Sequence, residues 1–127
     1  MAMLSERQGS CRCGQVSFAV RGEPTRIGIC HCTDCRVESG SAFTYFGIWP
    51  ADQFTTAGET TVFEGRRFCP SCGSRLFAYD ETEAEIKLGS LSDAPTDLVP
   101  VYELWVKRRE PWLSPIDGAD QFDEDRT

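Results

Sequence analysis

The sequence has no long apolar run. None of its 127 residues belongs to a stretch approaching the ~20 apolar residues that a membrane-spanning helix needs, and residues 1–8 lack the apolar centre of a signal peptide. These absences predict a cytoplasmic protein without a membrane span. There is also no internal repeat and no sign of a second domain, so we expect a single domain over residues 1–127.

Positive charge is in short supply. The chain has 13 lysines and arginines against 20 aspartates and glutamates, which gives a net charge of −7 and a pI near 4.7. An acidic protein repels phosphate backbones and anionic lipid, so nucleic acid and membrane surfaces are disfavoured as partners. Small molecules or other proteins are the expected partners.

Helical patterns are nearly absent, and alternation of apolar and polar residues dominates. Val16, Phe18 and Val20 alternate with polar neighbours, as in a half-buried strand. Further strands are predicted at 27–29, 41–49, 60–64, 66–68, 75–79, 84–88 and 101–106. Residues 33–39 could form one helical turn ended by Gly40, residues 49–54 a brief helical corner, and residues 113–127 an irregular acidic tail. The sequence therefore predicts a mainly β protein with little helix.

Cysteine, in contrast, is plentiful. Seven cysteines cannot all pair as disulfides, and a reducing compartment disfavours disulfides in any case, so close spacing favours metal ligation, with zinc as the expected metal. The cysteines form three groups: Cys11 and Cys13; Cys30, Cys32 and Cys35; and Cys69 and Cys72.

The numbers of these cysteines fit two metal sites. Cys69-Pro70-Ser71-Cys72-Gly73 is typical of a zinc knuckle, and the pair Cys11 and Cys13 would complete a site with four ligands. The trio of Cys30, Cys32 and Cys35 would then hold a second metal and leave one position open. Closed sites are typical of structural zinc, and sites with an open position are typical of catalytic zinc.

Three points stay open at this stage. Cys32 and Cys35 could instead join Cys69 and Cys72 in an ordinary four-cysteine ribbon. Cys32 and Cys35 could also form a redox pair, although the βαβ context of thioredoxin-like motifs is missing. His31 could be a fourth ligand or a proton carrier, but in an extended backbone it points away from its cysteine neighbours, which favours an imidazole that is partly exposed or satisfied within the core.

Three motifs, at residues 11–16, 30–36 and 68–73, together resemble those of the glutathione-dependent formaldehyde-activating (Gfa-like) enzyme family. The likeness continues through residues 89–93 and 108–112, and one departure is Glu103, where glutathione-using relatives often have histidine. The resemblance implies an Mss4-like fold of antiparallel β-sheets, a structural zinc on Cys11, Cys13, Cys69 and Cys72, and a second zinc on Cys30, Cys32 and Cys35. It also implies a carbon–sulfur lyase that makes S-(hydroxymethyl)glutathione, with glutathione as cosubstrate and formaldehyde or a small aldehyde as the second substrate.

The ligand type independently favours thiol chemistry. Three thiolates leave zinc with a formal charge of −1, which weakens it as a Lewis acid toward water and favours a soft fourth ligand such as a thiol. Arg36, next to Cys35, is the predicted partner of a glutathione carboxylate, ahead of Arg66, Arg67 and residues 107–109. The competing hypothesis is a non-catalytic, zinc-stabilised module that binds a protein partner.

Overall fold

The computed structural model describes residues 5–126. Its strands are β1 (Glu6–Ser10), β2 (Ser17–Arg21), β3 (Arg26–Cys30), β4 (Thr44–Pro50), β5 (Phe54–Ala57), β6 (Thr61–Phe63), β7 (Arg66–Phe68), β8 (Arg75–Tyr79), β9 (Glu83–Lys87), β10 (Tyr102–Leu104) and β11 (Asp120–Gln121). The helix α1 spans Thr33–Ser39, and short 3-10 turns occupy Ala51–Gln53, Leu88–Ser90 and Val106–Arg108. Within residues 5–126, no helix has the length and apolar character needed to cross a membrane.

The strands form two sheets. A three-stranded sheet has the order β1-β2-β5, and an eight-stranded sheet has the order β11-β10-β3-β4-β9-β8-β7-β6. The pairs are antiparallel except that β10 runs parallel to both of its neighbours, β3 and β11. The C-terminal part of the chain is therefore hydrogen-bonded to the strand that ends at Cys30.

The main core lies between the two sheets. Phe18 and Val20 of β2 point inward while Ser17 and Arg21 are exposed, as their alternation predicts. Phe18 meets Phe77 of the large sheet edge to face, with ring centroids 5.7 Å apart. This packing fixes the small sheet against one face of the large one.

A second apolar cluster covers the opposite face of the large sheet. Phe46 and Ile48 of β4 are buried there with Tyr102, whereas Trp49 and Tyr45 of the same strand belong to the main core. Both faces of β4 are thus covered, as its sequence indicates. Cys30 is buried in this second cluster, and Cys32 and Cys35 pack against it.

The mainly β prediction is confirmed, and α1 coincides with the predicted helical turn, ended by Gly40 in the left-handed conformation at φ 61°. β1 was not predicted, because its residues carry no apolar alternation. Its strand conformation is stabilised by antiparallel pairing with β2. β10 is shorter than the predicted strand because Trp105 adopts a positive φ of 56°. In the acidic tail, Asp120 and Gln121 form β11.

Candidate functional site

One loop from each sheet contributes to a group of four cysteines. Cys11 and Cys13 lie between β1 and β2, and Cys69 and Cys72 lie between β7 and β8. Their four Sγ atoms are all within 4.8 Å of one another. Cys13 Sγ lies 3.6 Å from Cys11 Sγ and 3.7 Å from Cys69 Sγ. Ligands on a tetrahedral zinc with ~2.3 Å bonds are separated by about 3.8 Å, so these separations fit such an ion.

Backbone amides point at the sulfur atoms of this four-cysteine cluster. The Val16 amide donates to Cys11 Sγ at 3.2 Å, and the Ser71 and Cys72 amides donate to Cys69 Sγ at 3.4 and 3.5 Å. Hydrogen bonds with Ser74 lower the pKa of Cys72 to about 5. Sulfur atoms surrounded by donors are stabilised as thiolates, the form that binds metal.

The remaining three cysteines form a separate trio at the start of α1. Cys30 ends β3, Cys32 caps the helix, and Cys35 lies in its first turn. Their Sγ atoms are also within 4.8 Å of one another, and in the described part of the chain neither a histidine nor a carboxylate joins them. Thus Cys32 and Cys35 group with Cys30, and not with Cys69 and Cys72 as in the ribbon alternative.

The thiols of the trio differ in pKa. Hydrogen bonding with Cys30 lowers the pKa of Cys35 to about 6 despite burial, and the charge of Lys87 adds to the lowering. The same hydrogen bond raises the pKa of Cys30. The shared hydrogen bond therefore favours ionisation of Cys35 over ionisation of Cys30.

A cavity of about 290 Å³ opens beside Cys30 and Cys35. Its charged lining consists of three cations and three carboxylates: Arg66, Arg75, Lys87, Glu38, Glu64 and Glu85. Arg66 Nε lies 2.8 Å from Glu38 Oε2, and Lys87 Nζ lies 2.9 Å from Glu85 Oε2. The trio therefore faces a charged cavity large enough for part of a small molecule.

Arg36 lies outside this lining. Its guanidinium is 2.7 Å from Glu110 Oε1 and donates to the Arg108 carbonyl at 3.0 Å. Of the three cations that line the cavity, Arg66 is one of the secondary candidates from the sequence. The other two, Arg75 and Lys87, were not singled out. They come from β8 and β9, which neighbour the site only through the sheet order, so no local signal marks them.

His31 is engaged elsewhere. It is 1% exposed, and its Nε2 lies 2.9 Å from Oε1 of Glu103, which is equally buried. Burial opposes ionisation of Glu103, but hydrogen bonds from Gln121 and the Ile116 amide, together with His31 and Arg109, lower its pKa to about 2. Because an ionised carboxylate only accepts hydrogen bonds, Nε2 of His31 carries the proton. His31 thus joins the Cys30–Cys35 segment to β10 through Glu103.

Comparison with solved structures gives a chain from Rhodobacter sphaeroides with a TM-score of 0.55 and 18% sequence identity, covering 73% of this chain and 97% of that one. At this identity the likeness concerns the fold alone. Comparison with curated proteins gives no match. Residues 6–108, which include all seven cysteines, match the family described as glutathione-dependent formaldehyde-activating enzyme. The chain belongs to this family of glutathione-dependent formaldehyde-activating enzymes.

Proposed function

We propose that the protein is a zinc-dependent carbon–sulfur lyase that joins glutathione and formaldehyde, or a similar thiol and small aldehyde, in the cytoplasm. The observation that carries this proposal is the trio of sulfur atoms, which has no fourth protein ligand among the described residues and opens onto a cavity of about 290 Å³. Family membership supports the pairing of glutathione with formaldehyde. The seven free cysteines are consistent with a reducing compartment.

The donor sets fit zinc in two different ways. Cys11, Cys13, Cys69 and Cys72 offer four sulfur ligands, which suits a closed structural site. Cys30, Cys32 and Cys35 offer three, which leaves room for a substrate thiol. We assign the structural role to the first set and the catalytic role to the second.

The proposed reaction is an addition and needs no oxidant. A carbon–sulfur bond forms between the glutathione sulfur and the formaldehyde carbon, and the thiol proton ends on the former carbonyl oxygen as a hydroxyl. A free thiol with a pKa near 8.5 is only about 3% ionised at pH 7. A zinc ion at the trio would supply the positive charge that keeps the substrate thiol deprotonated.

The chain itself contributes position. Cys30 is fixed by β3, and Cys32 and Cys35 are fixed by the first turn of α1, where the Cys35 amide donates to Cys32 Sγ at 3.3 Å. Holding two reactants in one orientation supplies much of the rate gain in reactions of this type. The assignment of Arg36 to a glutathione carboxylate stays a prediction, and the structure gives that side chain Glu110 as its partner.

The test is the rate of exchange between free glutathione and its hydroxymethyl adduct, followed by NMR, because the two compounds also combine without a catalyst. We expect native protein loaded with zinc to accelerate this exchange and Cys32→Ser to abolish the acceleration. We also expect glutathione to bind with proton release near neutral pH and oxidised glutathione to bind far more weakly. Equal rates for native and variant protein, with no heat on adding glutathione, would overturn the proposal and favour the non-catalytic binding module.

The two assigned roles also predict how metal is held. Metal analysis should find two zinc ions per chain, one of which a mild chelator removes while the other resists, because only one site is closed. In Cys32→Ser the chelator-sensitive zinc should be missing. A single, tightly held zinc in the native protein would contradict the division into four and three ligands.

A further inference from the structure

A cavity of about 530 Å³ next to the four-cysteine cluster is positively charged in an otherwise acidic protein. Arg12, Arg75 and Lys87 line it together with serines that include Ser74 and Ser92, and no aspartate or glutamate belongs to its lining among the described residues. The whole chain has a net charge of −7, so a lining with three cations and no acid is a local reversal. We refer to it as the arginine cavity.

Two of its three cations lack close anionic partners. The exposed guanidinium of Arg12 makes no hydrogen bond or ion pair with any residue in the range 5–126. For Arg75, the nearest carboxylate oxygens are Glu38 Oε1, 3.7 Å from Nε, and Glu85 Oε2, 4.0 Å from Nη2. Both separations exceed hydrogen-bond length, and Nε and Nη1 are enclosed with no acceptor among the described residues.

This leaves Arg75 with unused hydrogen-bonding capacity at a half-buried position. Because Nε and Nη1 are enclosed, Nη2 is the Arg75 donor that an external acceptor can reach, and a carboxylate there would form a charge-assisted hydrogen bond. Lys87 differs, since its Nζ already lies 2.9 Å from Glu85 and 3.3 Å from Glu38. Arg75 and Arg12 are therefore the cations of this lining that have no carboxylate of the described residues at hydrogen-bond distance.

The arginine cavity adjoins the cavity of the trio. Arg75 and Lys87 line both of them, so the two cavities meet at these two side chains. A thiol whose sulfur lies at Cys30 and Cys35 could extend past these two side chains into the arginine cavity. The other charged groups along the way, Glu38 and Glu85, are already paired with cations.

We propose that the arginine cavity binds a carboxylate of the thiol substrate, with Arg75 and Arg12 as the residues that select anionic thiols over neutral ones. This inference rests on the proposed function, because it requires a thiol at the trio. It assigns the carboxylate to a surface that Arg36 does not line, and it makes Arg75 Nη2 and the Arg12 guanidinium the contacting groups.

The experiment is a comparison of two ligands on matched variants by calorimetry with zinc-loaded protein. Glutathione carries two carboxylates, and its diethyl ester carries none while keeping the thiol. Native protein should bind glutathione at least about tenfold more tightly than the diester, because a charge-assisted hydrogen bond contributes about 1.5–3 kcal/mol. In Arg75→Gln, and to a smaller degree in Arg12→Gln, the ratio of the affinity for glutathione to the affinity for the diester should fall toward one.

Arg21→Gln is the control, because Arg21 is exposed, lines neither cavity and changes the net charge equally. It should keep the native preference. If Arg75→Gln fails to fold, the ligand pair on native protein and on Arg12→Gln still decides, since Arg12 is exposed.

Three outcomes would overturn the inference. If the native protein binds glutathione and the diester equally, the proposed function stands and the carboxylate site is wrong. If inorganic phosphate binds in a manner that depends on Arg12 and Arg75 while the two thiols still bind equally, the cavity serves a separate anion. If no thiol binds at all, the inference and the proposed function fail together.

Discussion

The two cysteine clusters use the same ligand atom but are supported in different ways. The four-cysteine cluster joins two loops that are 58 residues apart, from Cys11 to Cys69, and each loop is fixed by amides that donate to sulfur. The trio comes from one segment of six residues, and its support comes from the far end of the chain through His31 and Glu103.

This difference separates stability from reactivity. A metal bound by the four-cysteine cluster would close a long loop and hold the small sheet against the large one, so its loss removes a cross-link. A metal bound by the trio would close only a short loop, and the fold around it is already built from strands and buried rings. A site that does not hold the fold together can exchange a ligand without unfolding the protein.

The largest contrast is expected between two cysteine-to-serine substitutions. Cys69→Ser should leave the protein unfolded or aggregated, because structural zinc binding is worth about 10–16 kcal/mol and exceeds or equals the stability of most domains. Cys32→Ser should remain cooperatively folded with one zinc. Thermal unfolding followed by circular dichroism, together with size-exclusion chromatography, measures both. Equal destabilisation by the two substitutions would mean that the trio is structural too.

A smaller loss of stability is expected from Glu103→Gln, because Glu103 pairs with His31 in the segment of the trio and does not contact the four-cysteine cluster. The pKa of Glu103 is lowered to about 2, so its charge stabilises the folded state fully above the unfolded value near 4.3 and less as the pH falls toward 2. We expect the variant to lose roughly 3 kcal/mol of unfolding free energy at pH 7, and the difference from native protein to shrink at pH 3.

Urea unfolding at the two pH values measures this difference, and chelation kinetics on the same variant locate it. The chelator-sensitive zinc should leave faster, while the resistant zinc should be unaffected because Glu103 does not contact the four-cysteine cluster. A deficit that stays constant from pH 7 to pH 3 would show that the ionised form of Glu103 is not what stabilises the fold.

The smallest effect is expected from a pair of glycine substitutions, one beside each cluster. Gly73 follows Cys72 at φ 78°, Gly40 ends α1 at φ 61°, and an added Cβ would meet nothing within 4 Å at either position. Gly73→Ala and Gly40→Ala should therefore each cost about 1 kcal/mol of unfolding free energy, from backbone strain alone. Equal costs in urea titrations would show that the contrast between the clusters lies in their ligands. A much larger cost for Gly73→Ala would show that part of the contrast between the clusters comes from backbone conformation.

Local sequence signals predicted much of this arrangement. The spacing of Cys69 and Cys72 with Pro70 and Gly73 indicates the knuckle, and apolar alternation indicates β2 and both faces of β4. These features depend on residues a few positions apart, where backbone geometry limits the possible structures. The helical turn after Cys32 is of the same kind.

Features that depend on sheet order were not available from the sequence. Glu103 and His31 meet because β10 lies parallel to β3, with Glu103 opposite Ile29 in the register. Arg75 and Lys87 reach the trio because β8 and β9 follow β4 in the large sheet. No local pattern encodes which strands become neighbours. The pairing of His31 with Glu103 and the cations beside the trio could therefore be identified only from the tertiary structure.

The position of β10 between β3 and β11 also bears on how the protein matures during synthesis. The ribosome delivers the N-terminal part of the chain first, and Cys72 completes the ligands of the four-cysteine cluster roughly 50 residues before Phe122 arrives to cover Tyr102. At about 5–20 residues per second this interval lasts about 3–10 s. Glu103 follows Cys72 by 31 residues, so for the first part of this interval the Cys30–Cys35 segment lacks β10 and the carboxylate that pairs with His31. The four-cysteine cluster therefore has all of its cysteines before the trio has its last neighbours, Glu103 and Phe122.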